Sequence, residues 1–244
     1  FRVEVDERVT EVTEMLPGAN CGGCGYPGCA QFAKALVADE APVDGCSVGG
    51  AATAEAVAKY LGKVTPPQKE RTRAYIFCHG HKDIAKSSQV YNGAQTCVSA
   101  VMAGGNKDCS YGCVGFYDCM KACDFGAIIK DEKTGMPVIV EDKCVSCNAC
   151  VKACPQKLIE IHPVSQKFHV YCKSKDKGPI AKKACDRACI GCSICVKNTK
   201  EGGMRMDNNL AIVNYEDYAI TEESIAKCPT KAITDERVNS VANL

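Results

Sequence analysis

The segment CVSCNACVKACP, residues 144 to 155, contains four cysteines at a spacing that few kinds of site use. It follows the pattern C-x2-C-x2-C-x3-C-P, in which three thiolates bind one [4Fe–4S] cluster and the fourth, before the proline, binds a second cluster. A tetrahedral zinc site instead takes its ligands as two separated pairs. The segment therefore predicts two iron–sulfur clusters and a partner cysteine run nearby.

A second cysteine run lies just upstream, where the crossing pattern requires the partner. Phe116 stands in this run where the second cysteine of the motif belongs. The spacing therefore predicts that Cys109 supplies the missing ligand. One predicted cluster is bound by Cys109, Cys113, Cys119 and Cys154, and another by Cys123, Cys144, Cys147 and Cys150.

A third run repeats the triplet of the motif further along the chain, but its crossing position is occupied by Thr199. The triplet expected before Cys228 is also absent, and residues 218 to 224 stand in its place. Both losses concern the same cluster under the crossing rule. What remains is one complete predicted set: Cys189, Cys192, Cys195 and Cys228.

Four cysteines remain at corresponding points of a repeated body, and they are Cys78, Cys97, Cys172 and Cys185. They could close a further cluster between the repeats. Their spacings match no established pattern, so free thiols, or ligands shared with neighbouring sets, remain alternatives. The prediction is five [4Fe–4S] clusters, four of which rest on better-defined spacings.

The first cysteine group is richer in glycine than the others. It comprises Cys21, Cys24, Cys29 and Cys46. Glycines between the thiols allow the backbone to wrap closely around an inorganic core. Gly23, Gly25 and Gly28 also spell a dinucleotide fingerprint, but they follow a helix and a proline rather than a strand. We therefore predict a cluster loop of a different type here, and no nucleotide site on this chain.

Composition supports metal ligation over disulfides. The chain has 244 residues, of which 46% are apolar and 20 are cysteine. Closely spaced thiols that converge on one point cannot all find distant disulfide partners, so a reducing compartment is expected. The net charge of +1 and the lack of interleaved aromatic side chains argue against nucleic-acid binding. No catalytic triad, carboxylate pair or phosphate loop is present.

The chain is expected to belong to the α+β class. Apolar spacing predicts a small helical domain over residues 1–62, with helices marked by Val5 to Leu16, by Phe32 to Val37 and by Ala52 to Tyr60. Residues 63–73 are a predicted linker. Residues 74–244 are predicted to form tandem bacterial-ferredoxin-like domains, as repeats over about 74–168 and 169–244, with hairpin turns near Gly135 and Asn208.

A basic segment and the histidines are the remaining candidates. Lys173, Lys175, Lys177, Lys182 and Lys183 could form a docking rim for an acidic partner, or simply a solvated loop. The four histidines lack ligand spacing and are expected at the surface, although His79 beside Cys78 could donate a hydrogen bond to a cluster sulfur.

The stretch LPGANCGGCGYPGC, residues 16 to 29, followed by an alanine-rich helix and Cys46, resembles the iron–sulfur domain of the B subunit of the Rnf complex. The stretches CSYGC from Cys109 and CIGC from Cys189 are also similar to that subunit. The resemblance extends over essentially the whole chain. Thr199 and the lost triplet depart from it and imply one cluster fewer than the fullest members carry.

This resemblance implies an electron-transfer subunit of an ion-translocating ferredoxin:NAD+ oxidoreductase. Its implied partners are reduced ferredoxin and the other subunits of the membrane complex. It also implies a place at the cytoplasmic face of the cell membrane, with an anchoring helix before residue 1. The alternatives are an iron–sulfur subunit of a soluble cytoplasmic dehydrogenase and a zinc-stapled binding module.

Overall fold

The computed structural model describes residues 6–65, 67 and 69–235, and the chain divides into two compact units. The N-terminal unit runs up to Thr72 and also takes in Cys144–Ala149. The second unit comprises Arg73–Lys143 and the chain from Cys150 onward. This division differs from the predicted domain bounds, because a short cysteine loop packs with the N-terminal unit.

Three helices form the N-terminal unit: α1 (Glu7–Met15), α2 (Cys29–Val37) and α3 (Gly50–Leu61). The Asp6 side chain accepts a hydrogen bond from the backbone N of Arg8 and caps α1. Gly62, with φ of 65°, ends α3 in the left-handed conformation. All three predicted helices are therefore confirmed, apart from Val5, which lies outside the described residues.

The core of this unit contains the apolar face that the sequence predicted for α1 and α2. Val12, Phe32 and Leu36 are at most 2% exposed. The predicted face of α3, marked by Ala52, Ala56, Val57 and Tyr60, is confirmed only at Val57, because the other three are exposed. The other buried residues of this helix are Ala54 and Ala58.

The body consists of paired strands with short helices between them. Some pairs join strands that are not consecutive in the chain. Among the described residues the strands are β1 (Thr72–Ile76), β2 (Ile128–Lys130), β3 (Pro137–Ile139), β4 (Ile159–Pro163), β5 (Phe168–Val170), β6 (Met204–Asp207), β7 (Leu210–Val213) and β8 (Ile233–Asp235). The helices are α4 (Cys97–Met102), α5 (Asp118–Lys121), α6 (Ala149–Ala153), α7 (Gly178–Ala184), α8 (Ile194–Lys197) and α9 (Glu222–Ala226), and Glu141–Lys143 is a 3-10 turn.

Strand pairing is the same in both repeats. In each repeat the first strand pairs with the last, as β1 with β4 and β5 with β8, and the middle two form a hairpin, as β2 with β3 and β6 with β7. Asp131 accepts hydrogen bonds within the first hairpin turn, and Gly135 there has φ of 69°. Asn208, with φ of 54°, forms the second turn. The mixed helix and strand class and both hairpins are confirmed.

Aromatic rings pack where the first strands of the two repeats meet. Tyr75 packs at a tilt against His169 with 4.2 Å between ring centroids, and Tyr215 stacks against His162 at 3.7 Å. His169 is fully buried, so the expectation that the histidines lie at the surface was wrong. The neutral imidazole serves here as an aromatic core ring, which hydropathy patterns do not reveal.

No helix in the described ranges is long and apolar enough to cross a membrane.

Candidate metal centres

All twenty cysteines are free thiols, and most of them gather in sets of four. Three sets line open cavities of about 340 to 410 Å³. The N-terminal cavity is lined by Cys21, Cys24, Cys29 and Cys46. The first-repeat cavity is lined by Cys97, Cys113, Cys119 and Cys154. The inter-repeat cavity is lined by Cys78, Cys109, Cys172 and Cys185.

The N-terminal cavity brings together the four cysteines predicted for it. Gly22 and Gly25, with φ of 68° and 90°, give the loop left-handed turns that other residues rarely adopt. The Asn20 Oδ1 atom accepts a hydrogen bond from the backbone N of Cys29 at 2.9 Å, which ties the loop to the start of α2. The backbone N of Gly49 donates to the Cys46 Sγ at 3.3 Å.

The first-repeat cavity contains Cys97 in the place where the sequence predicted Cys109. Cys97 begins α4, and its backbone N donates a hydrogen bond of 2.7 Å to the Asp118 Oδ2. Asp118 begins α5 and directly precedes Cys119. This carboxylate therefore fixes the start of α4 beside the cysteine of α5.

Cys109 lies in the inter-repeat cavity because its loop is tied to the second repeat. The Asp108 backbone N donates to the Lys86 carbonyl at 2.9 Å, and the Lys86 backbone N donates to the Ala184 carbonyl at the same distance. Ala85 and Cys185 form an isolated antiparallel bridge. Cys109 and Cys185 are thus held at neighbouring points of the same cavity.

The predicted grouping therefore needs one correction, the exchange of Cys97 and Cys109. A signal for it exists in the sequence. Cys109 and Cys185 are each followed by cysteines four and ten positions later, so Cys109 corresponds to Cys185 in the two repeats. Our prediction instead matched Cys97 with Cys185, by their order after the first cysteine of each repeat.

The four thiols of the second-repeat set, Cys189, Cys192, Cys195 and Cys228, lie near one another, and their role as cluster ligands stays a prediction. Burial, and to a smaller extent charge on the other three thiols, raises the pKa of Cys195 to about 11. Cys195 is buried in a core that also contains Leu210 and Ile220.

The positions that lack cysteine in the second repeat contact each other directly. The Thr199 hydroxyl donates to the Ser224 Oγ at 2.9 Å, and Ser224 donates to the Asn198 carbonyl at 2.7 Å. Ser224 is fully buried. Hydrogen-bonded hydroxyls thus join the crossing position to the segment where the triplet is absent.

The remaining predicted set, Cys123, Cys144, Cys147 and Cys150, stays a prediction. Within the second unit the backbone N of Ala127 donates to the Cys123 Sγ at 3.3 Å. Within the N-terminal unit Gly23 lies against Cys147, since a Cβ on Gly23 would be 3.2 Å from the Cys147 Cα. The two cysteine loops of that unit therefore make direct contact.

Backbone hydrogen bonds connect the inter-repeat cavity with the sets on either side of it. The Cys113 backbone N, from the first-repeat cavity, donates to the Cys78 Sγ at 3.4 Å. In the second repeat the backbone N of Cys189 donates to the Cys172 thiol. Cys113 and Cys189 are corresponding residues, so both repeats make the same connection.

Burial controls the protonation of these thiols. It raises the pKa of Cys113, Cys119 and Cys172 to about 12. Thiolates at such positions need bound cations to hold their charge, and metal binding releases the protons.

The donor set fits iron–sulfur clusters. Each cavity combines four thiols with a volume of several hundred Å³, and backbone N–H groups donate to the sulfurs, as they do around iron–sulfur clusters. Among the described residues, no three His, Cys, Asp or Glu side chains form a site for a single metal ion. The residues that would hold the clusters are the four thiols of each set.

The lysines predicted as a docking rim are mostly engaged within the protein. Lys173 pairs with Glu160 and lies over the Phe77 ring, 4.5 Å from its centroid. Lys175 pairs with Asp207 at 2.8 Å, and Lys182 pairs with Asp186 at 3.2 Å. Lys177 and Lys183 are exposed and form no ion pair within the part of the chain that the structure describes.

Two family models match the chain at these loops. The model described as "Putative Fe-S cluster" matches residues 16–48, which include the N-terminal cavity. The model described as "4Fe-4S dicluster domain" matches residues 108–159.

Relatives match over nearly the whole chain. The chain is 43% identical to the B subunit of a proton-translocating ferredoxin:NAD(+) oxidoreductase complex from Clostridium ljungdahlii, covering 96% of this chain and 83% of the relative. It is 39% identical to the B subunit of a Na(+)-translocating ferredoxin:NAD(+) oxidoreductase complex from Acetobacterium woodii, covering 96% and 70%. It is 38% identical to the B subunit of an ion-translocating oxidoreductase complex from Methanosarcina acetivorans, covering 96% and 88%.

Proposed function

Because the chain belongs to the family of B subunits of Rnf ion-translocating oxidoreductase complexes, we propose that it accepts electrons from reduced ferredoxin and relays them to the membrane partners of the complex. Family and cysteine domains make it an iron–sulfur electron-transfer subunit whose partners include the other subunits. Hydride chemistry at NAD+ takes place on another subunit, and this chain lies at the cytoplasmic face of the membrane.

Five [4Fe–4S] clusters are the proposed cofactors. Bound clusters supply one-electron redox chemistry at potentials set by their surroundings. The proposed ligands are the N-terminal, first-repeat, inter-repeat and second-repeat sets, together with Cys123, Cys144, Cys147 and Cys150. Zinc sites would not explain why thiols from both repeats line one cavity.

One observation carries the relay: the thiol sets of the body are joined through the backbone. The N–H groups of Cys113 and Cys189 donate to Cys78 and Cys172, so the inter-repeat set is bonded to a neighbouring set in each repeat. Burial has the largest effect on the pKa of Cys119, and charge on Cys150 also raises it. Cys150, which belongs to the set with Cys123, Cys144 and Cys147, therefore lies near the first-repeat set. An isolated structural metal would need no such continuity.

The contact of Gly23 with Cys147 extends this continuity within the N-terminal unit. It brings the N-terminal cysteine loop to the loop of the 144–155 segment. This supports a path on which electrons that enter the ferredoxin-like body leave through the N-terminal cysteines. The side chains hold the thiolates and exclude water from the buried sulfurs, and the backbone donates N–H groups to them.

The test is anaerobic purification followed by metal and sulfide analysis. We expect about twenty iron and twenty acid-labile sulfide per chain for five four-iron clusters, and an electron spin resonance signal that appears on reduction. Mixing with reduced ferredoxin should bleach the visible absorption, whereas NADH, the matched control, should leave it unchanged. A colourless chain that contains only zinc would contradict the proposal, and so would direct reduction by NADH.

A further inference from the structure

The three cysteine cavities differ sharply in charge. Among the residues that the structure describes, Lys107, Lys173 and Arg187 line the inter-repeat cavity, and no acidic side chain does. Within the described ranges, the linings of the first-repeat and N-terminal cavities include no charged side chain. The inter-repeat cavity is therefore the most positively charged of the three, although the charge of Lys107 also acts on Cys113 of the first-repeat set.

Two of the three cations keep their charge uncompensated. The Lys107 Nζ donates to the Gly80 carbonyl at 2.6 Å, which holds the ammonium at the cavity. The backbone N of Arg187 donates to the Cys185 thiol. Within the described part of the chain neither side chain forms an ion pair with a carboxylate, whereas Lys173 is neutralised by Glu160.

The nearest acidic groups offset these cations only weakly. Asp186 lies beside Cys185, but it is exposed and already paired with Lys182 at 3.2 Å. Asp176 lies near Cys109, and its carboxylate accepts a hydrogen bond from the Ser174 hydroxyl at 3.4 Å. Neither carboxylate lines the cavity.

Fixed positive charge favours the reduced form of a cluster. Reduction adds one electron, hence one negative charge, to a centre already surrounded by four thiolates. A cation within several ångströms stabilises that charge, and in partly buried surroundings the interaction is only moderately screened. The electron comes from the external donor.

We propose that Lys107 and Arg187 raise the reduction potential of the cluster in the inter-repeat cavity above that of the cluster in the first-repeat cavity. Of these two clusters, the one in the inter-repeat cavity is then reduced first. This inference rests on the proposed function, since it requires clusters in both cavities. The cations face a set that is bonded to a neighbouring set in each repeat, so they stabilise the electron midway along the relay.

The experiment is an anaerobic redox titration of the purified chain with dithionite and mediator dyes, followed by electron spin resonance. The component from the inter-repeat cavity is identified as the one that Cys78→Ser removes. Lys107→Gln and Arg187→Gln should each lower the equilibrium constant for reduction of that component about tenfold, which is 59 mV for a one-electron couple. Lys107→Arg should retain the wild-type value, and Lys183→Gln, in the same basic region but not lining the cavity, is the matched control.

Unchanged potentials in both glutamine variants, at full iron content, would overturn the inference and leave the proposed function intact. An equal shift in Lys183→Gln would also overturn it, because the effect would then be one of overall charge. Absence of iron and sulfide, measured before the titration, would instead overturn the proposed function. Because Lys107 and Arg187 are substituted in separate variants, the test still gives an answer if one of them folds poorly.

Discussion

The two repeats of the body have lost cysteines at different positions, and they differ in what stands there instead. The first repeat has Phe116 where the second has Cys192, and Cys97 from α4 lines its cavity with three other thiols. The second repeat has Thr199 where the first has Cys123, and Thr199 hydrogen-bonds to Ser224. In the first repeat, another thiol thus takes the place of the single missing cysteine. In the second repeat, where a whole ligand set is missing, hydrogen-bonded hydroxyls occupy the positions.

The cysteine exchange in the first repeat predicts the largest effect. If Cys97 and Cys113 share one site, then the double variant Cys97→Ser/Cys113→Ser should lose one cluster, about four iron per chain. Cys109→Ser/Cys113→Ser should lose two clusters, about eight iron. Iron and acid-labile sulfide analysis of anaerobically purified protein measures both.

Each double variant is the control of the other, because both remove two thiols. The reverse losses, about eight iron for the first and about four for the second, would restore the grouping predicted from the sequence. Equal losses in both would contradict the division of these thiols between two cavities.

The hydroxyl network of the second repeat predicts a smaller effect, on stability. Ser224→Ala removes a fully buried donor and leaves the Asn198 carbonyl and the Thr199 hydroxyl without this partner. The free energy of unfolding should fall by about 1 to 3 kcal/mol. Denaturant titration measures it, with exposed Lys200→Ala in the same repeat as control. A stability equal to that of the control would show that the network does not support the second repeat.

The smallest predicted effect concerns one core position at which the two repeats have different rings. The first repeat has Tyr75 there, and the second has His169. Burial, and to a smaller extent the charge of His162 and Arg73, lowers the pKa of His169 to about 3. The groups that face it are His162, Arg73, Glu160, Tyr75 and Tyr215.

Between pH 6.5 and about 3 the unfolded chain binds more protons at this residue than the folded chain does, so stability falls as the pH falls. His169→Tyr, which copies the first repeat, should flatten that slope by at most about 1.4 kcal/mol per pH unit. Denaturant titrations at a series of pH values test this. An unchanged slope would mean that the buried ring takes up no proton on unfolding. Burial also lowers the pKa of His79 to about 3. His79 therefore still contributes to the pH dependence of stability in the variant.

Local patterns predicted the elements well. The helices near Val12 and Phe32, and the hairpin turn at Gly135, follow from apolar spacing and turn chemistry that act within a few residues. The burial of His169 and the exposed face of α3 were missed. Both depend on which surface a segment meets in the folded chain, and that is not a local property.

The sequence by itself determined the chemistry of this protein: the number of thiols, their convergence in sets and the triplet spacings all follow from residues close together in the chain. Only the tertiary structure decided which distant thiols share a cavity. Cys97 and Cys109 are assigned by the hydrogen bonds of Asp118 and Asp108 to remote parts of the chain. Only the folded chain, likewise, brings Lys107 and Arg187 to the same four thiols, because charge acts through space and not along the sequence.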